Sequence, residues 1–544
     1  MADSSGRSTA KPEDRERGTP DALDASLDPA PTFTPIDTSR GRFKRNVLAN
    51  LIYFVFNAGI QLWFVRYLID NLGVATYGLV PLATNITNYM AIITVALSGS
   101  VGRFLTIDLA RGDLATANRT FNTSLFASIV LAVALLPVAG ALSWFAPSFL
   151  DIPAGEEMGT RFLLMCTCFA FLLNAVGSNF ACSTFAKNRF DVQRVIDALG
   201  FITQVGVILA LFTWAEGDLW YVGAGIAASA VVRQIGYQVS WRRLTPELSM
   251  RLASFDRTRL REILGMGGWL VAGQSGWVLQ RQLDLLLVNV LVGASVAGGY
   301  AAITQLVVVI GAVHGMALGA LSPTVIASHC NSDGARVIRL TRIAGLLPGL
   351  ALAAPIGLIC GLGPWLLHLW LGPRFAGLWP LLCTLIAPLA PVYAKGPLDA
   401  VFQAHNRLAT PTVALVSMGA LHLALAWVLV RHGSMGAQGV AVSQALTYSL
   451  GLAVIPAIYA ARILNTQLRA IVTSQALALL AAGTVALVAW LAGRIVAPHG
   501  WWGLAAVACA VLAVYLPVSW LLVLSEEDRS AIRSLVVRPA GPNS

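Results

Sequence analysis

Charge is what this sequence has least of. Only 12% of its 544 residues are Asp, Glu, Lys or Arg, about half the ~25% usual in soluble domains. So few charges could not cover a soluble surface, and 56% of the chain is hydrophobic against roughly 45–50% in soluble proteins. Cysteine is scarce too, at 7 residues. Cys166 and Cys168 are spaced like half a metal site, but no second pair accompanies them, so they read as packing residues. A signal peptide is also missing, because the first apolar run starts only near Val47. Soluble enzymes, disulfide-rich secreted scaffolds and nucleic-acid binders are excluded together.

What is present is a succession of apolar runs of about 20 residues, the length that crosses a ~30 Å hydrocarbon core. The pattern predicts an all-α polytopic membrane protein with about 14 transmembrane helices, the seventh near 263–291 and the tenth near 378–400. The net charge of +10 fits this reading, because the basic residues sit in loops. Of 37 Lys and Arg, eight lie in the N-terminal tail, 21 in alternate loops and the C-terminal tail, five at the opposite loops, and three within spans. That bias places the arginine-rich loops and both termini in the cytoplasm. The opposite loops are expected to reach at most Pro147 to Thr160 and Gly363 to Gly377, too short for an outer domain.

Three features recur at nearly one offset, 218 to 223 positions. Asn188-Arg189 after span four matches Asn406-Arg407 after span ten. Gly73 and Tyr77 before span two match Gly293 and Tyr300 before span eight. Asp113 and Asp333 lie in the loops that follow. Together they predict a parallel repeat about an axis along the membrane normal. The expected organisation is a disordered tail at 1–45, a six-helix lobe at 46–241, a basic linker at 242–262, a second six-helix lobe at 263–461, two additional helices at 462–524 and a cytoplasmic tail at 525–544.

Arg66-Tyr67-Leu68, Leu72-Gly73, Tyr77-Gly78, Gly99 to Arg103 and Arg111-Gly112-Asp113 resemble the opening of the polysaccharide flippases. These are the O-antigen and exopolysaccharide exporters of the multidrug/oligosaccharidyl-lipid/polysaccharide (MOP) superfamily. Asp284, Leu291-Val292-Gly293, Gly299-Tyr300-Ala301-Ala302 and Leu321-Ser322-Pro323 are similar to that family's seventh and eighth helices, and the resemblance spans about residues 40–525. It implies a V-shaped pair of lobes in a bacterial inner membrane. It also implies transfer of an undecaprenyl-pyrophosphate-linked oligosaccharide from the cytoplasmic to the outer leaflet by alternating access. A lipid-linked oligosaccharide and membrane lipids are then the partners, with a polymerase or glycosyltransferases of the same pathway as further candidates. No organic cofactor is expected, and the coupling ion, H+ or Na+, stays open.

Polar residues within spans are costly and mark a cavity or a partner. On span seven, Gln274, Trp277, Arg281 and Asp284 recur at helical spacing, which predicts one polar face. Arg281 could grip a pyrophosphate through its planar fork, Trp277 could stack on a sugar and Gln274 could bond hydroxyls. Alternatively, Arg281 and Asp284 neutralise each other as an i,i+3 pair. Arg233 with Tyr237 on span six is a second candidate cavity cation. Lys395 and Asp399, four apart on span ten among Pro388, Pro391 and Pro397, form either a structural lock or a gate. Asn57 and Gln61 on span one and Asn85 and Asn88 on span two either line the cavity or hold helices together. His314 and His422 are lone histidines, structural or proton-carrying. Gly273-Gln274-Ser275-Gly276 matches a rhomboid-protease string, although fourteen spans do not suit that fold. The alternatives in function are a cation-coupled multidrug exporter on the same architecture and, less well supported, a membrane glycosyltransferase or polymerase.

Overall fold

The computed structural model describes residues 40–331, 334–405, 407–526 and 529. Residues 1–39 of the expected tail, Asp333 and Asn406 of the repeat, and nearly all of 525–544 lie outside them. No strand occurs among the described residues.

Six unbroken helices come first: α1 (Arg40–Leu72), α2 (Val74–Ala110), α3 (Leu114–Phe149), α4 (Glu157–Ala186), α5 (Phe190–Trp214) and α6 (Leu219–Leu244). The seventh pass is α7 (Arg257–Trp277), a π turn over Val278–Gln282, and α8 (Asp284–Leu291). After α9 (Ala294–Asn331) and α10 (Gly334–Leu371), the tenth pass is broken into α11 (Trp379–Ile386), α12 (Leu389–Ala394) and α13 (Gly396–Ala404). Pro388 precedes α12 and Pro397 opens α13, because a ring without an N–H starts helices better than it continues them. Then come α14 (Ala409–Arg431), α15 (Gly436–Ser449) continued by a π turn over Leu450–Val454 into α16 (Ile455–Ile463), α17 (Leu468–Val496) and α18 (Trp501–Val518).

These segments make fourteen passes among the described residues. Twelve helical spans are long and apolar enough to cross a membrane. The two passes that fall short are the sixth and seventh, which hold Arg233 and the Gln274–Asp284 stretch. Many helices overrun the expected spans. The 36 residues of α3 extend about 54 Å at 1.5 Å per residue, well beyond a ~30 Å core. The loops shorten accordingly: the stretch expected at Pro147 to Thr160 is only Leu150 to Glu156.

At the short-loop end, the first six helices meet the later ones closely. Gly73 (φ 80) and Gly293 (φ 127) make matching turns before α2 and α9, and Tyr77 and Tyr300 behind them are both buried. A Cβ on Gly78 would lie 2.8 Å from Gly298 Cα, and one on Gly298 would collide with the Val74 carbonyl. Ala294 N, at the start of α9, donates to Asp151 Oδ2 at 2.7 Å. Asn289 of α8 bonds both the N–H and the C=O of Asp151. Arg66 pairs with Asp70 at 3.5 Å and also donates to the Leu369 and Trp370 carbonyls that end α10.

At the arginine-rich end, α7 is fastened to α2 and α3. Arg259 reaches Asp108 at 2.6 Å, Glu262 at 2.7 Å and the Thr120 hydroxyl at 2.9 Å, and lies over the Phe104 ring. The stretch expected as a linker is strapped down: Asn118 and Asn122 of α3 bond the backbone of Glu247, Ser249 and Arg251.

The last two passes are welded to α10. Gly345, Gly349, Gly357 and Gly361 form a ridge along it; a Cβ on Gly357 would sit 2.6 Å from the Ala482 carbonyl, and one on Gly361 would strike that of Ala486. Small residues let membrane helices approach to backbone contact in this way.

Candidate functional site

The π turn decides the geometry of the seventh pass. An extra residue in one turn rotates everything beyond it, so Gln274, Trp277, Arg281 and Asp284 do not form the single stripe expected of a regular helix. Arg281 and Asp284 form no salt bridge, and each turns to its own partners. Asp284 opens α8, whose eight residues span about 12 Å to the short-loop end. Arg281 is three residues deeper.

Asp284 is buried. Its Oδ1 lies 2.7 Å from His422 Nε2 of α14, and its Oδ2 accepts from the Tyr300 hydroxyl of α9 at 3.1 Å. His422 is 0% exposed. Its Nδ1 is 2.9 Å from Ser443 Oγ of α15, and that hydroxyl donates to the His422 carbonyl at 2.8 Å. Three elements thus meet at one carboxyl group, and a fourth, α15, holds the histidine.

Arg281 is half-buried and reaches the hydroxyls of Tyr393 (α12) and Tyr448 (α15) at 3.5 and 3.4 Å. Its guanidinium centre lies 5.5 Å from the Tyr448 ring centroid and 5.9 Å from that of Trp277. Trp277 is 40% exposed. His314 stacks on Tyr393 at 4.0 Å. Arg281 is therefore a cation held by aromatic faces and long hydroxyl contacts, with most of its donors available. Guanidinium groups in such surroundings bind phosphate oxygens well.

The half-buried amides Asn57, Gln61, Asn85, Asn88 and Gln274 make no hydrogen bond to another described residue. They do not act as glue between helices here. Neighbouring Tyr89 donates to the Gln282 carbonyl at 2.9 Å and ties α2 to the π turn.

Arg233 stands apart from this group. Its guanidinium contacts Ser229 at 3.2 Å, while Tyr237 donates to Asp197 of α5 at 2.6 Å. Asp197 also pairs with Arg194, which bonds Asn50 and faces the Tyr53 ring. Lys395 and Asp399 pair at 2.8 Å. Ser275 of the Gly-x-Ser-Gly string donates to the Val271 carbonyl, and His314 is engaged with Tyr393.

Sequence reading named Arg281, Asp284 and His422 but did not join the last two. Tyr300 stands out in the sequence only as a repeat and motif residue, and Ser443, Tyr393 and Tyr448 not at all. Ser443, Thr447 and Tyr448 do recur at helical spacing on α15, which was the available signal.

Fourteen helical passes among the described residues, twelve of them long and apolar enough to cross a membrane, define a polytopic helical membrane protein. Solved structures agree on that fold. An inward-facing multidrug resistance MATE family transporter of the MOP superfamily matches 77% of this chain and 98% of its own at 16% identity, TM-score 0.62. Lipid II flippase MurJ in an inward closed conformation matches 86% of this chain and 99% of its own at 13% identity, TM-score 0.60. The family described as "Polysaccharide biosynthesis protein" matches residues 43–329, more than half of the sequence, and the chain belongs to it. "Uncharacterized membrane protein EpsK" of Bacillus subtilis (strain 168) is 28% identical over 496 residues, 90% of this chain and 97% of its own.

Proposed function

We propose that this protein transfers a pyrophosphate-linked oligosaccharide on a polyprenyl carrier from the cytoplasmic to the outer leaflet, by alternating access between two six-helix lobes. Arg281 carries this reading: a cation inside the membrane, unpaired with any carboxylate among the described residues and set among the aromatic faces of Trp277 and Tyr448. Arg281 takes the pyrophosphate, Trp277 and the amides meet sugar hydroxyls and faces, and the prenyl tail stays in lipid. Arg233 is held by Ser229 and Lys395 neutralises Asp399, so these three act on structure. The arginine bias supports cytoplasmic termini, so the tight short-loop end is the outer seal.

The multidrug alternative needs an accessible acid for a cationic drug. Asp284 is buried against His422 and Tyr300, and Asp399 is taken by Lys395. Those ties favour the anionic substrate.

The test is the lipid-linked sugar pool in the native host. Arg281→Ala is expected to trap prenyl-pyrophosphate saccharides in the cytoplasmic leaflet and abolish surface polysaccharide, with membrane insertion unchanged. Arg281→Lys should restore only part of the export, because an ammonium cannot reproduce the bidentate fork. Normal export by the alanine variant would remove Arg281 from the site. A normal pool with new sensitivity to cationic compounds in the deletion strain would move the reading to a multidrug exporter.

A further inference from the structure

We infer that Asp284 and His422 together form an intramembrane proton-binding site, and that the proton decides whether Arg281 is open to an anion. The first part stands on hydrogen-bond accounting. The second rests on the reading of Arg281 as an anion site.

A serine hydroxyl has one hydrogen, and a carbonyl can only accept. Ser443 spends its hydrogen on the His422 carbonyl, so the 2.9 Å contact with Nδ1 is satisfied when Nδ1 donates. Nε2 then has no hydrogen of its own in a neutral ring. Its 2.7 Å approach to Asp284 Oδ1 would set two lone pairs against each other. One further proton resolves the conflict, giving imidazolium beside carboxylate or imidazole beside carboxylic acid. This is the arrangement in which every contact is a two-centre hydrogen bond, with Tyr300 completing the carboxyl's other oxygen. The pair is buried on both sides, so the proton is held where water is scarce and an unpaired charge is costly.

The other groups facing the pair are Tyr300 of α9, Tyr89 of α2 and Arg281 of the π turn. Of these, only Arg281 is charged at neutral pH. When the proton leaves for solvent, a neutral imidazole and a full carboxylate remain in contact. The carboxylate's one cationic neighbour is then Arg281, three residues earlier. Relaxing the π turn to regular helix brings positions i and i+3 onto one face. The same guanidinium can therefore serve either a bound anion, with the proton in place, or Asp284, with the proton gone. Proton and anion support each other's binding, as linkage requires.

The experiment uses the full-length protein in lipid nanodiscs. 15N resonances of the His422 ring and the infrared carboxyl bands of Asp284 are followed against pH, with farnesyl pyrophosphate as the soluble prenyl-anion probe. The expected result is an extra proton on the pair at low pH that leaves in one step, absent in Asp284→Asn and His422→Gln. Farnesyl pyrophosphate affinity should fall by about tenfold for each unit of pH above that step, the slope of one linked proton. It should be independent of pH in Asp284→Asn, where no carboxylate competes for Arg281. A singly protonated His422 beside an ionised Asp284 at every pH would overturn the proton site. A proton step with pH-independent farnesyl pyrophosphate binding would overturn the link to Arg281. A proton step with no farnesyl pyrophosphate binding at any pH would sink the anion reading of Arg281 and leave the proton site standing.

Discussion

Lys395 and Asp399 share one ion pair unequally: the lysine side chain is 11% exposed and the aspartate 46%. Removing the two ends should therefore have unequal costs. Asp399→Asn strands a largely buried ammonium and should destabilise by about 3 kcal/mol, the lower end of the range for broken buried pairs. Lys395→Met leaves a carboxylate that solvent can reach and should cost about 1 kcal/mol or less. Thermal unfolding in detergent would rank them, and the double variant should recover much of the Asp399→Asn loss; equal costs would refute the asymmetry. This pair was legible in the sequence, because four residues apart on one helix are neighbours whatever the tertiary fold. Asp284 and His422 were not, because 138 positions separate them and only helix packing brings them together. The same limit explains Arg281 and Asp284. Their spacing reads as a pair on a regular helix, and nothing local in Val278–Gln282 announces the π turn that separates them.

At the scale of elements, about fourteen passes are legible from the apolar runs, although the sixth and seventh fall short of the length and apolarity of the other twelve, and Pro388, Pro391 and Pro397 mark the tenth as one that can bend. Helix ends are not legible, because α2, α3, α9 and α10 continue past the apolar stretch as polar helix. Nor could the sequence show that Asn118 and Asn122 hold the segment before α7 in place. The contact of α2 with α9 offers a direct intervention. A methyl at Gly298 strikes the Val74 carbonyl, and forced overpacking of this kind costs about 1–3 kcal/mol. Gly298→Ala should bias the protein against closure of the short-loop end by about five- to a hundredfold, since each 1.4 kcal/mol is a factor of ten. Cysteines placed on the facing surfaces of α2 and α9 would report it as faster labelling from that side. Unchanged labelling would mean that the seal does not depend on this crossing.

For the whole molecule, the arginine bias of the loops is the ground for the proposed orientation, with both termini in the cytoplasm. A cysteine at Ser434, in the turn between α14 and α15, should react with impermeant maleimide applied to intact cells. A cysteine at Ser8 in the N-terminal tail should react only after the membrane is opened. The reverse pattern would invert the topology and, with it, the direction assigned to the substrate. The bilayer-facing surface needs no such test to be recognised: Leu480, Leu487 and Val514 are 65%, 57% and 62% exposed, as large apolar side chains are where the surrounding solvent is lipid.

The glycine ridge on α10 bears on the length of the protein itself. Because α17 lies against that helix at backbone depth, a chain stopped after Ile463 would lose the packing partner of the glycine ridge. It would be left with a furrow too narrow for an acyl chain to fill as well as Ala482, Val485 and Ala489 do. The terminal pair of helices is therefore a keel built into the hull, and any tag, fusion or truncation must begin beyond it.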